Sequence, residues 1–238
     1  MTKADYDCHK CVNVNCPIRK HIENKNVNTY LKDKVTFRCS TGQQFILEGA
    51  PVNGLYFIYN GSVKVFRNNP NFGNQIIRFS KNGEIVGHRG FGTSYVYDIS
   101  ATALTDTILC HFRTAELIEL LHKVPELMFE FMLFYADQLQ KSESNAKHFG
   151  RLSVREKVIN GLIFINKKFG QSDDGFINIT LSRKDIAEYA GTTQEQVIKV
   201  ISDLKKENLL ITRGKKIGIP DMEKFQLEMG DSHLFLEG

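Results

Sequence analysis

Nowhere in its 238 residues does the chain carry an apolar run approaching the roughly 20 needed to cross a bilayer. Residues 127–136 come nearest, and that stretch is short and interrupted by Glu130. The N-terminus also lacks the apolar core of a secretory leader, so the sequence predicts a soluble, cytoplasmic protein with no membrane partner. No nucleophile–base signature, phosphate-binding glycine loop or zinc-protease spacing occurs, which argues against an enzyme. Long repeats and low-complexity tracts are absent too. A formal net charge of +4 is too small to imply nucleic acid by itself. Cysteine is sparse and odd in number, five in all. In a chain without an export signal that favours free thiols or metal ligands over a disulfide framework.

What the chain does have is concentrated in residues 181–216, LSRKDIAEYAGTTQEQVIKVISDLKKENLLITRGKK. Ser182 is suited to cap a short helix over Arg183–Ala190, because its hydroxyl can accept from an otherwise unpaired N–H. Gly191 follows, where a left-handed backbone costs least. Thr192 or Thr193 then caps a second helix of about a dozen residues, with Val197, Val200, Ile201 and Leu204 at helical spacing. Thr193, Gln194, Gln196 and Lys199 are left facing away from the core near the helix start. A recognition helix in the major groove of double-stranded DNA places its base-reading side chains there. Between residues 183 and 216 there are eight Lys or Arg against five Asp or Glu. Arg183, Arg213 and Lys215, with Ser182, are candidates for the phosphates that pass the helix start and the following hairpin. The segment reads as a helix-turn-helix with a basic hairpin.

The length leaves room for two modest domains. Residues 35–109 are strand-rich, with short runs at 44–47, 55–59, 63–67, 75–79 and 108–112 punctuated by Gly42, Gly49, Gly61, Gly73 and Gly83. This spacing suggests a β-sandwich or barrel. Asn60-Gly61 predicts a tight hairpin of the kind that needs positive φ at both central residues. From Thr114 the pattern turns helical, and a long helix is expected from Pro125 to about Phe149. Its first half is apolar almost all round, so it must be covered on more than one side. Leu127, Met128, Phe131, Met132, Tyr135 and Leu139 are therefore expected at an interface with a second copy of the chain, consistent with two-fold reading of DNA half-sites. A further helix over 154–168 opens the C-terminal domain.

A glycine-punctuated β-roll, a long helix, then a helix-turn-helix with a basic hairpin: this order resembles the CRP/FNR superfamily of bacterial transcription regulators. The resemblance is carried by GLYFIYNGSVKVF, NGEIVG and LSRKDIAEYAGTTQEQVIKVISDLKKENLL and spans nearly the whole chain. It implies an α+β fold with a cyclic-nucleotide-binding-like β-roll (jelly roll), a dimerisation helix and a winged helix-turn-helix. The expected divisions are a cysteine-bearing segment 1–25, a sensor roll 26–124, a dimerisation helix 125–150 and a DNA-binding domain 151–238. It further implies a homodimer on operator DNA, with RNA polymerase as a further partner, in which Gln194, Glu195 and Lys199 occupy base-reading positions. Glu195 could accept from a cytosine amino group and Lys199 donate to guanine O6 or N7; Glu195 also suits the dipole at a helix start.

The signal is the remaining question. Gly83-Glu84 resembles the start of the family's cyclic-nucleotide cassette, but Ile99-Ser100 stands where an arginine is needed for the cyclic phosphate. cAMP is therefore disfavoured, and Gly83, Glu84 and Gly87 read as structural. Cys8-x2-Cys11-x4-Cys16, together with Cys110, resembles the oxygen-sensing FNR branch, which implies a [4Fe–4S] cluster on Cys8, Cys11, Cys16 and Cys110. The residues themselves leave other readings open. These are zinc with His9, His21 or Cys39 as a further ligand, a thiol–disulfide switch, Cys110 as a small buried hydrophobe, or a metal-free regulator with a small organic effector in the roll. Cys39 reads as structural. His88, His111 and His122 read as surface or core histidines rather than haem ligands.

Overall fold

The computed structural model describes residues 2–4, 6–69, 73–91, 94–149 and 152–229. The chain divides into two compact units, Met1–Asp137 and Gln138–Gly238. In the first, strand β1 (Thr2–Ala4) is followed by helices α1 (Pro17–Lys20) and α2 (Lys25–Leu31), then strands β2 (Val35–Cys39) to β9 (Thr107–Arg113). Between these run β3 (Gln44–Ile46), β4 (Gly54–Asn60), β5 (Ser62–Asn69), β6 (Gly73–Lys81), β7 (Ile85–Val86) and β8 (Ser100–Ala103). Helix α3 (Thr114–Lys123) leads into the long α4 (Pro125–Phe149).

Two antiparallel sheets form the roll, ordered β1-β2-β9-β4-β7 and β3-β8-β5-β6. The five-stranded sheet is covered on both faces. Alternation along each strand sends successive side chains to opposite sides, so Tyr56, Ile58, Val86 and Leu109 meet Val63, Val65, Ala101 and Ala103 of the other sheet in one core. Phe57, Ile85, Cys110 and Phe112 point the other way, into a second core closed by Ile18, Val27, Leu117, Leu120, Leu127 and Phe131 of the helices. Gly54 is required where β4 enters the sheet. It has φ +150°, and a Cβ there would lie 2.0 Å from the Phe112 carbonyl oxygen.

The Asn60-Gly61 expectation fails. Only Gly61 has positive φ, and β4 and β5 lie in different sheets, with β5 pairing to β6 and β8. The dipeptide carries the chain from one sheet to the other, with the Gly61 N–H donating to Asn82 Oδ1 at 2.8 Å. The turn signal was real, but alternation alone cannot say which strand becomes the partner. The N-terminal segment contributes β1, which pairs with β2 at the edge of the five-stranded sheet.

Helix α4 has the expected bounds, and its apolar residues split into two sets. Leu127 and Phe131, expected at the seam with a second copy, are buried in the helix-side core of their own unit. That corrects their assignment, because side chains already enclosed by the roll have no surface left for a partner. Met128, Met132 (56 % exposed) and Leu139 (60 % exposed) remain on the open side with Phe129 and Leu133. Tyr135 stands between, its hydroxyl donating to the His88 carbonyl at 2.8 Å.

The second unit holds α5 (Val154–Phe169), α6 (Arg183–Ala190), α7 (Gln194–Lys206), the hairpin β10 (Ile211–Arg213) and β11 (Lys216–Gly218), and α8 (Met222–Leu227). A reciprocal cap between Ser153 and Glu156 starts α5. Val158, Ile159 and Leu162 of α5 are buried, as are Ile186 and Ala190 of α6 and Val197, Val200, Ile201 and Leu204 of α7. Among the described residues no helix is long and apolar enough to cross a membrane. The division within α4 gives a direct test. Leu127→Ala should lower unfolding free energy by about 2–5 kcal/mol, the range for emptying a core leucine site. Met132→Ala should stay within about 0.5 kcal/mol, both read by urea unfolding.

Candidate nucleic-acid interface and cysteine site

In the second unit, the turn between α6 and α7 is built as the sequence indicates. The Ser182 hydroxyl accepts from the Asp185 N–H at 3.0 Å while Asp185 Oδ2 accepts from the Ser182 N–H at 2.9 Å. Gly191 closes α6 at φ 58°, ψ 44°. Of the two candidate threonines it is Thr193 that caps α7, accepting from the Gln196 N–H at 3.3 Å. Because Val197, Val200, Ile201 and Leu204 turn inward, Thr193, Gln194, Glu195, Gln196 and Lys199 lie together on the exposed side of the first turns. Its own backbone N–H, and then the hydroxyl of Thr193, lower the Glu195 carboxyl from its ordinary value, so it is a charged acceptor.

The basic residues divide. Lys215 is exposed at the hairpin tip, and the Arg183 guanidinium donates to its carbonyl at 3.3 Å, tying α6 to the hairpin. Arg213 pairs with Asp174 and stacks 4.6 Å from the Phe176 ring centroid, so its charge is already partly balanced. Ser182 commits its hydroxyl to the cap. Ile198 was not singled out in the sequence, yet it is 48 % exposed beside Glu195 and Lys199. The helical periodicity that picks out its buried neighbours would also have picked out its position on the outer face.

The second site lies on the helix side of the five-stranded sheet. Cys110 sits in β9 between Thr36 of β2 and Phe57 of β4. Cys16, the residue before α1, packs against the same core. The N-terminal loop is placed by the Asn13 amide donating to the Tyr59 carbonyl at 2.6 Å and by the Arg19 Nε donating to the Cys11 carbonyl at 3.1 Å. Beyond α1, both Lys20 and His21 (3.0 Å) engage Glu130 of α4. These ties bring the sulfurs of Cys8, Cys11 and Cys16 near enough to Cys110 to oppose its ionisation. Burial, first of all, pushes the Cys110 thiol up to about 12 and Cys16 to about 11, and raises Cys8 as well.

One cation enters this group. Lys34 Nζ stands 3.3 Å from Cys8 Sγ and donates to the Tyr6 carbonyl. Burial works against its ammonium, but the sulfurs of Cys110 and Cys8 leave it held above its ordinary value. Sequence reading missed Lys34 because its nearness to Cys110 depends on the register of β2 against β9. All five cysteines are free thiols. Among the described residues no group of three or more His, Cys, Asp or Glu is arranged to hold a metal ion. The donor chemistry nonetheless suits a thiophilic group: Cys16 and Cys110 share the helix-side core, and Cys8, from the loop that also carries Cys11, lies beside a lysine. Cys39 lies in the other core, across the sheet.

The histidines behave as core and surface residues. His88 packs against Phe134 and Tyr135 at 4.9 and 5.8 Å, and burial, with Arg78 and Arg89, holds it well below its ordinary value. His111 lies 4.5 Å from the Tyr56 ring and is pushed down to about 4, chiefly by burial. His122 is exposed. In the roll, Ile99 is buried where a phosphate-binding arginine would be needed, and Ser100 Oγ accepts from the Glu48 N–H at 3.1 Å. Glu84 lies 3.5 Å from the Arg78 guanidinium, which also donates to the Ile85 carbonyl at 2.6 Å.

Residues 36–124 match the cyclic nucleotide-binding domain family and residues 156–227 the Crp-like helix-turn-helix domain family. The chain is 25 % identical to the transcriptional activator protein FnrL of Cereibacter sphaeroides over 94 % of its own length and 93 % of the relative's. It is also 25 % identical to an anaerobic regulatory protein of Pasteurella multocida, over 73 % of this chain and 64 % of that one. The solved structure of FixK2 from Bradyrhizobium japonicum overlays with a TM-score of 0.71 at 20 % identity, covering 81 % of this chain and 95 % of that one. A β-roll joined to this type of helix-turn-helix defines a DNA-binding transcription regulator, not an enzyme. The chain belongs to the CRP/FNR superfamily.

The buried Cys110 and half-buried Cys16 thiols carry a prediction for the metal-free protein. At pH 8, iodoacetamide should label Cys110 and Cys16 at least about 100-fold more slowly in the folded chain than in urea, because so little thiolate is present and access is poor. Per-site labelling by mass spectrometry checks this. Equal rates in both states would contradict the burial described.

Proposed function

We propose that this regulator ties DNA binding to oxygen or redox state through a [4Fe–4S] cluster held by Cys8, Cys11, Cys16 and Cys110. The observation that carries the reading is that Cys16, before α1, and Cys110, in β9, meet in one core although they lie about a hundred residues apart in sequence, with Cys8 of the same N-terminal loop held beside Lys34. The name of the Pasteurella multocida relative, an anaerobic regulatory protein, points the same way. Such a cluster, when bound, supplies an oxygen-labile tie among its four cysteines. The chain's own residues do the rest. Lys20 and His21 clasp Glu130, so the position of the cysteine loop bears on α4. Cys16 and Cys110 lie in the core that also takes Leu127 and Phe131. A change of a few kcal/mol between two packings of that core suffices to move a two-state equilibrium.

The active species in this reading is a homodimer. Met128, Met132 and Leu139, with Phe129 and Leu133, give α4 an open apolar side that a second copy would cover. On operator DNA, Gln194, Glu195 and Lys199 read bases in the major groove. Ile198 offers an apolar contact for a thymine methyl. Thr193 and Gln196 stand at the groove edge, and Ser182, Arg183, Arg213 and Lys215 face the backbone. RNA polymerase is the further partner expected of a family member.

Anaerobic purification followed by iron and sulfide analysis tests the sensor. About four irons and four sulfides per chain, with a brown colour that bleaches in air, are expected, and Cys110→Ser should lose both colour and iron. Protein that takes up no metal would overturn the reading and turn attention to the small cavity beside Val65, Arg78, Val86, His88, Arg89 and Ile99 as a place for an organic effector. On the DNA side, Lys199→Ala should weaken specific binding by about 1–3 kcal/mol and relax preference at one base pair. A uniform loss across sequences, measured by competition binding, would make Lys199 a phosphate contact instead.

A further inference from the structure

We infer that Lys34 is the charge-positioning residue of the cysteine site, a fixed cation that makes a four-thiolate ligand set tolerable beneath the roll. The inference rests on the cluster reading above and concerns a residue outside the ligand set. Four thiolates gathered in a half-buried site repel one another, and the low local dielectric strengthens that repulsion. Metal binding relieves part of it, but an assembled iron–sulfur site on four cysteines keeps net negative charge. A cation already in place reduces the remaining cost.

Lys34 meets the requirements for that cation. Its Nζ is 3.3 Å from Cys8 Sγ, and its charge also reaches Cys110, so it acts on the loop and the strand at once. It is held there by the Tyr6 carbonyl. That anchor removes much of the rotamer freedom a lysine would otherwise lose on binding. Strand geometry explains the placement. Thr36 pairs with Cys110, and Lys34 stands immediately before β2, two residues ahead of Thr36, so it enters at the same end of the β2–β9 pair. The other charges nearby do not take this role. Arg19 reaches the Cys11 backbone carbonyl, and Arg38 donates to the Tyr6 hydroxyl. Asp7 is the opposing charge, close enough to act on both Lys34 and Cys8.

The test compares full-length wild type, Lys34→Met, Lys34→Arg and Asp7→Asn, each loaded with iron and sulfide under nitrogen. Iron release to a coloured chelator is followed without oxygen. Lys34→Met should release iron about tenfold faster than wild type, Lys34→Arg within about twofold, and Asp7→Asn more slowly than wild type. Lost packing would not be rescued by arginine, and it would not predict slower release on removing a neighbouring acid. Cobalt(II) binding to the metal-free proteins, followed by its thiolate charge-transfer absorption, should weaken in the same order. Should Lys34→Met fail to fold, Asp7→Asn and Lys34→Arg still decide: unchanged release in Asp7→Asn together with rapid release in Lys34→Arg overturns the inference. Equal release from wild type and Lys34→Met removes Lys34 from the site but leaves the cluster standing. A wild type that takes neither iron nor cobalt removes both.

Discussion

Strand β9 bears the constraint on which most of the first unit depends. It lies between β2 and β4, and its side chains must satisfy two cores at once. Leu109 seals the space between the two sheets, while Cys110 and Phe112 seal the space beneath the helices. A one-residue slip would exchange these sets and place the thiol among the inter-sheet aliphatics. The register also fixes which groups Cys110 meets, because Thr36 and Phe57 are its partners on either side. A cysteine there is small enough to pack as a hydrophobe, and in the proposed sensor the same sulfur would serve as a ligand. The sensory reading and the structural one are thus two uses of one position.

The DNA-reading unit depends on a different device, local capping. Three residues that look merely polar in the sequence, Ser153, Ser182 and Thr193, each accept a backbone N–H at a helix start. With Gly191 in the left-handed region between α6 and α7, Thr193 fixes where α7 leaves the turn. Each cap contributes about 1 kcal/mol, modest beside the buried aliphatics. The caps matter more for geometry, since the proposed reading residues Gln194, Glu195 and Lys199 emerge from a helix whose first turn must not fray.

Much of this was legible before any coordinates. The bounds of α4 and α6 and the inward set of α7 follow from periodicity, and the αL glycine after α6 follows from sterics. What was not legible is instructive. Asn60-Gly61 signals a tight turn but not its partner strand, because pairing is decided by the whole sheet and not by the dipeptide. Leu127 and Phe131 alternate with Met128 and Met132 in a stretch that is apolar almost all round, and only the position of the roll separates the two sets. Lys34 carries no motif at all. Its importance comes from a register between residues about seventy-five apart in the chain, which no local pattern encodes.

In the proposed dimeric sensor, the same separation would let one helix serve two demands. If every apolar residue of α4 lay in the partner seam, nothing would link that seam to the cysteines. If every one lay under the roll, no apolar side would remain to pair with a copy. Instead Leu127 and Phe131 report on the core that holds Cys16 and Cys110, while Met128 and Met132 lie about a hundred degrees around the same turns. Glu130 stands between them in sequence and holds the cysteine loop through Lys20 and His21. Those contacts give the loop a direct connection to α4. Rotating or shifting the helix by even a fraction of a turn would change which apolar side chains face outward. For a packed, two-faced helix, that is a discrete change and not a gradual one.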